Sequence, residues 1–91
     1  MKHNPASITL NAIERVEFFK RDELTTDLVC CEIIVKNENG FETWFFHEEA
    51  SSWGDVLKLV KQLPGFDRDW QTKVMQLPMT ENRTLAFARQ R

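Results

Sequence analysis

Asn39-Gly40 separates two apolar, β-branched and aromatic runs, and few dipeptides constrain a short chain as strongly. Leu28–Lys36 precedes it and is almost continuously apolar; Phe41–His47 follows it. With Asn39 and Gly40 as a two-residue type I′ loop, both at positive φ, opposite residues would have numbers summing to 79. Val35 then faces Trp44, Ile33 faces Phe46, Ile34 faces Phe45 and Glu32 faces His47.

Side chains alternate along a strand, so this hairpin has two unlike faces. One carries Val29, Cys31, Ile33, Val35, Trp44 and Phe46, and is uniformly apolar. The other carries Cys30, Glu32, Ile34, Lys36, Thr43, Phe45 and His47, and is mixed. Ile13–Lys20 reads as a strand with Val16 and Phe18 on one face and Glu17 and Phe19 on the other. Ile8–Leu10 reads as a short strand or an extended lead-in, and Arg21–Asp27 as a polar connection.

The period changes after His47. Trp53, Val56, Leu57 and Val60 fall at i, i+3, i+4 and i+7 of a helix, with Ser52 and Asp55 as a capping box. Pro64-Gly65 ends that helix, and Asp67 can cap a second with Trp70, Val74 and Leu77 on one face, stopped by Pro78. Thr84–Ala88 reads as a last strand with Leu85 and Phe87 facing in, returning to an edge of the sheet. The expected fold is a single α+β domain over residues 1–91, ordered β-β-β-α-α-β. Its antiparallel sheet has about four strands, and both helices pack on one face.

That leaves the mixed face without a helical cover. That face reads either as an ordinary half-exposed sheet surface or as an interface for a homodimer or a protein partner, with a small-molecule pocket as a third reading; the candidate interface residues are Phe19, Cys30, Glu32, Ile34, Phe45 and His47. The chemistry that competes with this reading is a small enzyme or metal protein using Glu32 and His47, since a carboxylate can orient an imidazole base. No Ser or Cys nucleophile has an assignable place beside that pair. His47-Glu48-Glu49 lacks the second His of the zinc-helix motif, because position 51 is Ser. With two His, two adjacent Cys and three Gly in the chain, no metal site, phosphate loop or cofactor site is expected.

A net charge of −2 does not suit a nucleic-acid binder; residues 64–91 are basic, and Arg83, Arg89 and Arg91 read first as ordinary solvated charge, with contact to a phosphate as the alternative. Adjacent Cys30 and Cys31 point to opposite faces and read as buried free thiols in a reducing compartment. No apolar stretch has the length of a signal peptide or a membrane span, so a cytoplasmic location and no membrane contact are expected.

Three stretches taken together carry a resemblance: Glu17-Phe18-Phe19-Lys20-Arg21-Asp22-Glu23 running to Cys30-Cys31-Glu32, Trp44-Phe45-Phe46-His47-Glu48-Glu49, and Leu63-Pro64-Gly65-Phe66-Asp67. The chain resembles a group of small bacterial cytoplasmic proteins with no assigned activity, so the resemblance implies no site residue. The order of sheet and helices is loosely similar to bacterial pleckstrin-homology-like domains. This chain departs from them in having too few strands for a full barrel and in ending on a strand.

Overall fold

The computed structural model describes residues 4–22, 27–76 and 81–90. Four strands form one antiparallel sheet: β1 (Ile13–Asp22), β2 (Asp27–Asn37), β3 (Gly40–His47) and β4 (Thr84–Ala88). Their spatial order is β3-β2-β1-β4, so β3 and β4 are the two edges. Helices α1 (Trp53–Val60) and α2 (Trp70–Val74) lie between β3 and β4 in sequence and contribute Val56, Val60, Trp70 and Val74 to the core on one sheet face. This is the α+β architecture that the alternation of periods predicts. Leu77 and Pro78, assigned above to the second helix and its stop, lie outside the described residues, as does most of the Arg21–Asp27 connection.

The inner face is the apolar one. Val16, Phe18, Val29, Cys31, Ile33, Val35, Trp44 and Phe46 are buried beneath Val56, Val60, Leu63, Phe66, Trp70 and Val74. Phe18 is its centre: its ring stacks on Trp70 at 3.7 Å and meets Trp53 and Phe66 edge-on at 6.2 and 6.3 Å. Pairs of this kind add to area burial because the ring quadrupoles favour offset and edge contacts.

The hairpin forms where Asn39-Gly40 places it, but its register differs by two. Asn37 pairs with Gly40, so opposite numbers sum to 77 and the loop residues are Glu38 and Asn39. The Asn37 carboxamide oxygen accepts the Asn39 N–H at 2.9 Å, which makes Asn37 the first residue of the turn. Gly40 then falls at the fourth position, the Asn-first, Gly-fourth pattern of a type I turn. Gly40 takes φ +123° while Asn39 does not enter the positive-φ region, so the two-residue I′ geometry is not formed. A shift of two keeps every side chain on its face, whereas a shift of one would have exchanged the faces.

Before β1, Ile8 and Thr9 are extended but form no strand, and they sit between two 3-10 turns, Pro5–Ser7 and Leu10–Ala12, the first capped by the Asn4 side chain accepting the Ala6 N–H. Three other local expectations change. Ser52 precedes α1 but its side chain makes no capping hydrogen bond, because its backbone is already helical and not extended as a capping residue requires. Asp69 rather than Asp67 is the residue preceding α2; Asp67 acts one turn earlier, accepting the Asp69 N–H at 2.9 Å and pairing with Lys73. In β4 the pairing with β1 shifts between Leu85 and Phe87, leaving Ala86 as an extra residue. That bulge turns Phe87 and Ala86 inward and leaves Leu85 outward and 46% exposed, so Leu85 does not face the core. The Ala86 carbonyl accepts the Asp67 N–H, which ties the bulge to the segment before α2.

Candidate functional surface

The face away from the helices carries the residues of opposite parity. Across the sheet, Phe45 on β3 stands opposite Glu32 on β2, Glu32 opposite Glu17 on β1, and Glu17 opposite Leu85 on β4. One row along, Thr43, Ile34, Arg15 and Ala88 line up, and at the far end His47, Cys30 and Phe19 do. The six candidate residues therefore share one face, but they are not equally available. Cys30 is fully buried and Phe19 is 6% exposed, forming with Leu28 a second, smaller core on this side of the sheet.

What covers Phe19 is Arg83, from the segment entering β4. Its guanidinium lies 4.2 Å from the Phe19 ring centroid. The same group donates to Glu17 at 2.6 Å and Glu32 at 3.2 Å, and its Nε is 3.4 Å from Glu81. Glu17 and Glu32 are directly opposed like charges, an arrangement that destabilises a sheet unless a cation bridges it. Arg83 is that bridge, and Arg15 adds a second bond to Glu17 at 2.8 Å. The hydrogen bond from Arg15, reinforced by Arg83, holds the Glu17 carboxyl below the usual carboxylate range against the opposing effect of burial. Arg83 stays charged, its pairing with Glu32 and Glu17 outweighing its partial burial.

Two expectations are corrected here. Glu32 and His47 do not oppose each other: the register pairs Glu32 with Phe45 and His47 with Cys30, and the Glu32 carboxylate is engaged by Arg83. Nor is Phe19 left open, since Arg83 and Phe45, the latter's ring at 6.0 Å, flank it. The arginines read as possible phosphate contacts serve the fold. Arg83 is held as described. Arg89 donates to the Ile13 and Leu10 carbonyls at 2.9 Å each and lies 5.4 Å from the Phe87 ring. Arg91 lies outside the described residues.

Cys30 and Cys31 are both free and buried, on opposite faces as their adjacency requires. Burial first, then the neighbouring Cys30 and Glu32, push the Cys31 thiol far above its ordinary value, so it is an inert core side chain. The Cys30 thiol points along its own strand toward the Leu28 carbonyl at 3.6 Å. His47 Nδ1 is buried with no hydrogen-bond partner among the described residues. Among those residues no cluster of three His, Cys, Asp or Glu side chains is arranged to hold a metal ion, and no helix is long and apolar enough to cross a membrane. An open depression of about 380 Å³ lies beside α1, lined by Pro5, Ile8, Asp55, Lys58, Leu59 and Gln62.

Among the described residues, the large apolar side chains left uncovered on the outer face are Leu85 on β4 and those of the β2–β3 corner. Phe45 is 37% exposed, Phe41 is 66% exposed and Ile34 between them is half-buried. Phe41 has the same strand parity as Phe45, which is the signal that would have added it to the candidate set. Arg83 carries no such signal, because its partners lie 66 and 51 residues away in the chain. No family model, curated protein or solved structure matches this chain.

Proposed function

We propose that this protein is a non-enzymatic binding or regulatory domain, acting in the cytoplasm through the outer face of its sheet on a protein partner or a second copy of itself. The observation that supports this reading is the uncovered corner formed by Ile34, Phe41 and Phe45. An apolar patch bordered by a fixed charge network, here Arg83 with Glu17 and Glu32, has the composition of a contact surface: aromatic groups to desolvate, and polar groups at the rim to orient the partner. The corner rests on paired strands rather than a loop, so it is presented without an ordering cost on binding.

The test is affinity capture from the native cell with the wild-type chain beside Phe41→Asp and Phe45→Asp, followed by sedimentation of each. Partners or self-association retained by the wild type and lost by both variants are expected. Identical capture and identical sedimentation for all three, with each folded, would remove the reading.

A further inference from the structure

The two edges of this sheet are protected very differently. β4 is five residues long, carries the Ala86 bulge, gives that residue's carbonyl to Asp67, and is flanked by Arg83 and Arg89. Short length, a bulge and flanking charge are the devices that keep an edge from pairing with another chain. β3 lacks the first two: it is eight residues long and in unbroken register with β2, and its charge is limited to Glu42 within it and Glu48 and Glu49 after it, with no Pro, Lys or Arg in the strand.

The register identifies which backbone groups that edge offers. The Glu48 N–H donates to the Val29 carbonyl, and these two numbers also sum to 77. Hydrogen-bonded and non-hydrogen-bonded pairs alternate in an antiparallel ladder, so the even-numbered residues of β3 bond to β2 and the odd-numbered ones point their N–H and C=O away from the sheet. Of the outward residues, the His47 carbonyl is taken by the Ala50 N–H. Phe41, Thr43 and Phe45 have no backbone partner beyond the sheet among the described residues.

We propose that β3 pairs antiparallel with β3 of a second copy, about a two-fold axis at Thr43, joining two four-stranded sheets into one continuous sheet. This names an occupant for the border of the corner described above and rests on the reading of that corner as a contact surface. The edge is self-complementary in that register. Phe41 falls opposite the partner's Phe45, Thr43 opposite the partner's Thr43, and all three outward donor–acceptor sets are satisfied at once. The paired phenylalanines share the outer face, where aromatic cross-strand neighbours stabilise a sheet. Because β4 is protected, each chain has one open edge, so pairing closes at two copies and does not propagate into a fibre.

The test uses the full chain, wild type and three variants, by sedimentation over a range of concentrations with circular dichroism as the fold control. Thr43→Pro removes the central outward N–H, a group the chain's own sheet does not use. Thr43→Lys sets two like charges face to face across the axis while altering only an exposed side chain. Ile34→Asp changes the face and leaves the edge untouched. The wild type and Ile34→Asp are expected to rise to twice the chain mass, while both Thr43 variants stay at the mass of one folded chain. A wild type at single-chain mass throughout would overturn the pairing, and so would folded Thr43 variants that still dimerise. Loss of the dimer in Ile34→Asp with retention in the Thr43 variants would show face-to-face contact, overturning edge pairing while keeping the contact surface. An extended peptide of another protein held on β3 would overturn the choice of a second copy.

Discussion

Arg83 does three things at one point of the outer face, and each sets an expectation. It covers Phe19, bridges the opposed carboxylates of Glu17 and Glu32, and fixes the entry to β4. Arg83→Ala should leave the two carboxylates facing each other, so the Glu17 titration moves up toward the ordinary carboxylate range; a carbon-detected NMR titration of Glu17 reads this. The sign for stability follows from the depressed folded-state value. The contribution of Glu17 is fully present above its unfolded-state pKa and is lost as pH falls through the lower folded-state value. Thermal melts should therefore show the wild type losing more stability than Arg83→Ala between neutral and strongly acid pH. Equal losses would mean that Arg83 does not hold the carboxylate. At neutral pH the ring contact and partly exposed ion pairs contribute only about 1 kcal/mol each, so Arg83→Ala should remain folded.

Among the elements, the β2–β3 hairpin separates what local pattern can and cannot specify. Its existence, its face assignments and the positive φ of Gly40 are legible in the sequence, because alternation and the Asn-Gly dipeptide are local signals. The register is not, because Asn37 outcompetes Asn39 for the turn through a side-chain bond that pattern does not rank. The Ala86 bulge is also invisible to alternation, which assumes one residue opposite one, and this is why Leu85 is misplaced. The cover on Phe19 is illegible for a third reason, since it depends on a contact across most of the chain. Two substitutions test the turn and helix accounts. Gly40→Val places a β-branched residue at φ +123°, where no neighbour crowds the new atom but the backbone is strained, and should cost about 1–3 kcal/mol in chemical denaturation. Ser52→Ala removes no capping bond and should change stability by less than about 0.5 kcal/mol, against the ~1 kcal/mol of a working cap.

Over the whole molecule, a chain of 91 residues folds around one ring. Phe18 is fully buried and touches aromatic groups from α1, α2 and the segment between them, so it joins every layer of the domain. Phe18→Ala should cost about 3–5 kcal/mol, a large part of the ~5–10 kcal/mol expected for a domain of this size. Denaturation monitored by tryptophan fluorescence should find it near its midpoint with little denaturant. With the core spent on one face, the other is left to a small cluster, a charge bridge and the open β3 corner, where contact with another chain is proposed. Amide hydrogen exchange resolved at Phe41, Thr43 and Phe45, followed from dilute to concentrated protein, tests that claim most directly. Exchange at these three outward amides should slow as concentration rises, while the amides of Glu42 and Trp44, bonded within the chain, stay unchanged. Rates at all three that match unprotected amides at every concentration would contradict it.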